Sequence, residues 1–112
     1  MSLRGQAVLW ATQRTSGAVL GLCTVIHLGT IIYAVRHGLS AADILARTRG
    51  NLVWAGFYAT FVIAVALHAP LGLRIILVEW LGWRDCASAL ASAVLAIVFV
   101  MAGMRAVIGV LA

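Results

Sequence analysis

The side chains best placed to do chemistry in this chain are histidines set in apolar sequence. His68 opens the stretch His68-Ala69-Pro70-Leu71-Gly72-Leu73-Arg74, with Glu79-Trp80 beyond it, and lies near the end of an otherwise apolar segment from about Leu52 to Leu73. His27 stands inside an earlier apolar segment, whereas His37, beside Arg36, reads as a solvated loop residue. Burying an imidazole in lipid without a partner is costly. Iron is the partner that best repays a neutral imidazole in a helical membrane bundle. The competing reading is a hydrogen bond to a neighbouring helix. For His27 a serine or threonine would suffice, and both readings stay open. Cys23 and Cys86 fall at different depths and no CxxC occurs, so neither a disulfide nor a cysteine-held metal is indicated.

The elements that must position these residues are membrane helices. Of 112 residues, 64% are hydrophobic and only 10% charged, too few charges for a soluble domain of this size. Apolar stretches long enough to cross a bilayer fall near residues 17–35, 52–78 and 87–111. The expected fold class is all-α, an integral membrane three-helix up-down-up bundle forming a single domain over 1–112. Met1–Ser16 reads as a short amphipathic lead-in with Trp10 at the interface, and the loop 37–50 as polar, with Ser40-Ala41-Ala42-Asp43 able to start a short interfacial helix. Gly17-x3-Gly21 and the cluster Ala87, Ser88, Ala91, Ser92 offer small-residue packing faces. The first apolar segment is too long for a cleavable signal and ends in Arg36-His37 without a small-residue cleavage site, so it is expected to persist. The net charge of +5 comes from arginines flanking the spans, apart from Arg105 within the last one, which indicates no nucleic-acid partner. Arg4, Arg14, Arg74 and Arg84 on one side balance Arg36, Arg47, Arg49 and Arg105 on the other, so the positive-inside rule gives no orientation.

If Arg14 and Trp80 share one membrane face, His27 lies roughly 20 Å inward from the first and His68 roughly 18 Å inward from the second. Both histidines are then expected near one depth, as bis-imidazole heme ligation requires. Gly72, one turn beyond His68, would leave room for a flat porphyrin, and Glu79, about three turns on, returns to the same face. Pro70 would loosen the local backbone. Arg14 points about 140° around the helix from His27.

Two motifs carry a resemblance. Gln13-Arg14-Thr15-Ser16-Gly17 at the first helix and His68-x3-Gly72-x-Arg74-x4-Glu79 at the second resemble the cytochrome b membrane-anchor subunits of succinate dehydrogenase, whose motifs read His-Arg-x-Ser/Thr-Gly and His-x3-Gly-x-Arg-His-x3-Asp. The resemblance implies that His68 is an axial ligand of heme b, with Gly72 packing on the ring. It places Arg14, Ser16, Arg74, Glu79 and Trp80 around a quinone (ubiquinone or menaquinone) and the heme propionates. It further implies a flavoprotein subunit and an iron–sulfur subunit as partners, together with a second anchor subunit or a second copy of this chain. The setting would be a bacterial inner membrane, with membrane lipid around the helices and a cytoplasmic N-terminus. His27 resembles the first-helix ligand of the diheme anchors. The chain departs from the pattern at Gln13 and Ile75, where the family has histidines, at Trp10 for a quinone-side serine, and at Glu79 for aspartate. Trp80 stands where the sister anchor has a tyrosine.

Succinate chemistry itself would belong to other polypeptides, since the chain has neither a dinucleotide fingerprint nor a cysteine cluster. Three other readings compete. A quinone-reactive cytochrome of another dehydrogenase would carry more helices and histidines. A small transporter would need a carboxylate inside a span. The third is a heme-free anchor.

Overall fold

The computed structural model describes residues 2–112: α1 Leu3–Arg36, α2 Ala41–Thr48, α3 Leu52–Glu79 and α4 Asp85–Leu111. Three of these are long and apolar enough to cross a membrane: α1, α3 and α4. The second and third spans agree with the sequence reading to within two residues. The first does not, because α1 starts at Leu3 rather than near residue 17. Ser2 caps it, its hydroxyl accepting from the Gly5 N–H at 3.1 Å, and the helix runs unbroken through Gly17, with no proline between residues 3–16 and the apolar run. The expected lead-in is therefore the first four turns of one helix of 34 residues, about 51 Å long.

The interfacial helix is present. Asp43 Oδ2 accepts from both the Ser40 N–H and the Ser40 hydroxyl at 2.9 Å, and the same hydroxyl accepts from the Asp43 N–H at 3.1 Å, a complete capping box. Thr48 Oγ1 donates to the Val110 carbonyl at 2.6 Å and the Gly50 N–H to the Leu111 carbonyl at 3.1 Å, so α2 is tied to the end of α4. Asn51 then caps α3 through the N–H groups of Val53 and Trp54. Gly82, at φ +65, turns the chain from α3 into α4.

The helices form a row. α3 packs against both α1 and α4, which barely touch each other. On α4 it is Ser88, fully buried, and Ser92 that face inward, while Ala87 of the expected small-residue face is exposed. Gly103 receives the Val62 side chain so closely that any β-carbon there would collide with it. Few large apolar side chains are buried; Leu52 is 86% and Trp80 81% exposed. That surface suits lipid, which solvates leucine as well as a protein core does.

Candidate functional site

His68 projects from α3 onto α1. Its Nδ1 lies 3.3 Å from the main-chain carbonyl of Gln13, which also accepts from the Ser16 hydroxyl at 3.2 Å. The ring rests on Gly17, where a β-carbon would stand 3.0 Å from Cε1 and 3.2 Å from Nδ1. Glycine admits the imidazole there without displacement, whereas any β-carbon would make it give by a few tenths of an ångström. With Nδ1 donating to a carbonyl, the tautomer is set and Nε2 is left as the lone-pair nitrogen, the arrangement usual for metal-binding histidines. The sequence reading gave Gly17 to a Gly17-x3-Gly21 packing motif; Gly21 has nothing within 4 Å, and Gly17 packs against His68 instead. Pro70, buried two residues along, leaves α3 continuous.

Gln13 organises the adjoining space. Its side-chain amide lies over Gly72, where a β-carbon would come within 3.2 Å of Nε2, so the room left by Gly72 is taken by Gln13. Gln13 Oε1 is buried and has no hydrogen-bond partner. Beside it opens a cleft of about 620 Å³, bounded among others by Trp10, Gln13, Arg14, Arg74, Glu79 and Asp85. Arg14 stands over the Trp10 ring, Cζ 5.2 Å from its centroid. Arg74 donates to Asp85 Oδ1 at 2.7 Å, holding the start of α4 against this end of α3.

Of the residues singled out from sequence, Arg14, Arg74 and Glu79 line this cleft, and Gly72 sits beneath its Gln13 wall. Ser16 does not line it. It is buried on the Gln13 carbonyl and faces a different groove, with Thr15, Thr60 and Leu67. Trp80 is exposed and stands beyond the cleft. Asp85 was missed, because nothing in its spacing links it to Arg74. Gln13 was noted only as a departure from a motif.

His27 occupies a different level. Its Nδ1 lies 3.5 Å from the Tyr58 hydroxyl, and its ring meets Tyr58 and Phe61 edge-on, with centroids 5.8 and 5.6 Å apart. α1 and α3 run antiparallel with Gly17 beside His68 and His27 beside Tyr58. The two histidines are thus ten residues apart along the pair (17 to 27 on α1, 58 to 68 on α3), about 15 Å of helix axis. Nitrogens sharing one iron stand about 4 Å apart, twice a metal–imidazole bond of about 2 Å. The expected common depth is therefore corrected, and one heme cannot be clamped by both histidines of a chain. Arg14 lies at the level of Leu71 and Arg74, not of Trp80.

Among the described residues no three His, Cys, Asp or Glu side chains converge as a metal site. An iron taking one imidazole from this chain must bring most of its ligands with it, as a porphyrin does. The free Nε2 and the glycine cradle fit that kind of ligand. No curated protein and no solved structure matches the chain. A family model for the succinate dehydrogenase/fumarate reductase transmembrane subunit matches residues 1–107, and with three membrane-spanning helices in place the chain belongs to that family.

Proposed function

We propose that this chain is the heme b-binding, quinone-facing anchor of a succinate:quinone oxidoreductase. The observation that carries the reading is His68, cradled on Gly17 with Nδ1 on the Gln13 carbonyl and Nε2 free, beside a cleft holding Arg14 and Arg74. His68 Nε2 would hold the iron, and the heme when bound would store and pass single electrons. The chain's own residues do the rest. The Gln13 carbonyl and Gly17 orient the imidazole. Arg14, its guanidinium held over Trp10, offers a fixed positive charge and a fork of donors to a quinone oxygen or a propionate. Arg74 is partly neutralised by Asp85, which leaves Arg14 as the stronger field in the cleft.

We further propose a flavoprotein subunit and an iron–sulfur subunit docked at the Arg14 end, with the second axial ligand from another anchor subunit or a second copy. The quinone is ubiquinone or menaquinone, and the setting a bacterial plasma membrane with the N-terminus cytoplasmic. His27, satisfied among Tyr58 and Phe61, we assign to packing.

A reduced-minus-oxidised spectrum of the purified complex tests the reading. His68→Ala should abolish the b-type signal with the chain still present at normal levels, and an unchanged spectrum overturns the assignment. Arg14→Leu should lower quinone reduction at least about tenfold, the loss of one strong transition-state contact. Succinate oxidation by an artificial dye should hold. An equal fall in both activities makes Arg14 an assembly residue.

A further inference from the structure

At the other end of α1 a second cleft of about 590 Å³ runs inward from α2 to the His27–Tyr58 pair. Its walls are mostly apolar, with Gly29 and Ala34 of α1, Ile44 of α2 and Val110 of α4 among them, while Arg47 stands at its outer end. The distance from Arg36, where α1 ends, to His27 is nine residues, about 14 Å, so the cleft reaches well into the apolar span. Arg47 is held in place, its Cζ 5.9 Å from the Tyr33 ring centroid. It makes no direct ion pair: the one found among the described residues is Arg74–Asp85, and the Asp43 carboxylate, one turn before Arg47 and within its electrostatic reach, is bonded to Ser40 instead. The tie of α2 to Val110 and Leu111 fixes the arginine at the mouth.

An apolar channel running from a helix end into the span, with an arginine at its rim that makes no direct ion pair, has the polarity of a phospholipid. We propose that this cleft binds an anionic phospholipid, its phosphate on Arg47 and an acyl chain lying along Gly29 and Ala34 toward His27. The guanidinium fork matches phosphate oxygens. An anionic lipid is preferred to a zwitterionic one because the latter carries its own cation to compete with Arg47. The polar pair at the deep end does not oppose a hydrocarbon tail, since His27 and Tyr58 face each other. Gly29 has nothing within 4 Å of where a β-carbon would stand, so the chain can approach its backbone. None of this depends on iron at His68.

The test uses the intact complex, equilibrated in micelles holding equal amounts of phosphatidylglycerol and phosphatidylcholine, then washed and extracted for lipid counting by mass spectrometry. The wild type should retain phosphatidylglycerol in preference. Arg47→Gln should lower that preference about fivefold, the effect of one arginine near an anionic headgroup. Gly29→Leu, whose β-carbon meets no neighbouring atom, extends into the channel and should retain neither lipid, with helical content and absorbance spectrum unchanged. Equal retention of the two lipids by the wild type, or undiminished phosphatidylglycerol in either variant, overturns the proposal. So does a quinone retained in place of lipid and lost on Gly29→Leu.

Discussion

His68 shows how much a single absent side chain can decide. A histidine on a membrane helix has several ways to satisfy its ring, and Gly17 together with the Gln13 carbonyl selects one of them. At Gly17, alanine would force the imidazole or the helix to give by a few tenths of an ångström, and a branched side chain by far more. Gly17→Ala is therefore expected to cost about 1–3 kcal/mol of packing between α1 and α3 and to shift the midpoint potential of the b-type signal. Gly17→Val is expected to remove the signal while the chain still inserts. Heme-to-protein ratio and redox titration on the two variants check this, and an unaltered potential in both would mean that the ring does not rest on Gly17 in the assembled complex. Gln13 is neutral where the family motif carries a histidine, so the backbone, which no substitution removes, orients the ring.

Among the elements, α2 is the one whose stability is set by a few local hydrogen bonds. Its capping box holds the Asp43 carboxyl below its usual range, first through the Ser40 backbone N–H, then the Ser40 hydroxyl, with Arg47 adding to the effect. A carboxyl with a depressed folded pKa stabilises its element fully above the unfolded value of about 3.9, and that contribution is lost as the pH falls through the lower folded value. A nitroxide at Ala46, on the exposed side of α2, is accordingly expected to report an immobile helix from neutral pH down to about 4 and rising mobility below it. In Asp43→Asn the mobility should be raised throughout and should not change with pH. Mobility that rises only above neutral pH in the parent chain would contradict the cap as its cause. The same helix carries Arg47, so weakening the cap also loosens the rim of the second cleft.

The whole molecule is a row of three spans with α3 between α1 and α4, not a closed triangle. Such a row leaves the outer faces of α1 and α4 to lipid or to other chains, and no space inside it enclosed on all sides. It also leaves two histidines that share a helix pair ten residues apart along it. The expected stoichiometry is one heme per chain where another subunit supplies the second ligand, and one per two chains where a second copy does. Pyridine-hemochrome assay against quantified protein measures it, and His27→Leu should leave both the ratio and the midpoint potential where they are. A ratio near two that falls to one in His27→Leu would return His27 to the ligands.

Apolar length alone was enough to read three spans, because a bilayer demands about twenty lipid-compatible residues whatever their order. The capping pattern Ser40-x2-Asp43 was likewise enough to read α2, since a cap is a contact between neighbours in sequence. His68 stood out because an imidazole in a span needs a partner, whichever neighbour supplies it. What the amino-acid order left open was how the helices slide along one another. Lipid and helix surfaces are equally apolar, so hydropathy carries no register. Register comes from where small residues let large ones in: Gly17 under His68, Gly103 against Val62. Those fits put His27 beside Tyr58 instead of His68, and the packing of α3 on α4 brought Asp85 to Arg74.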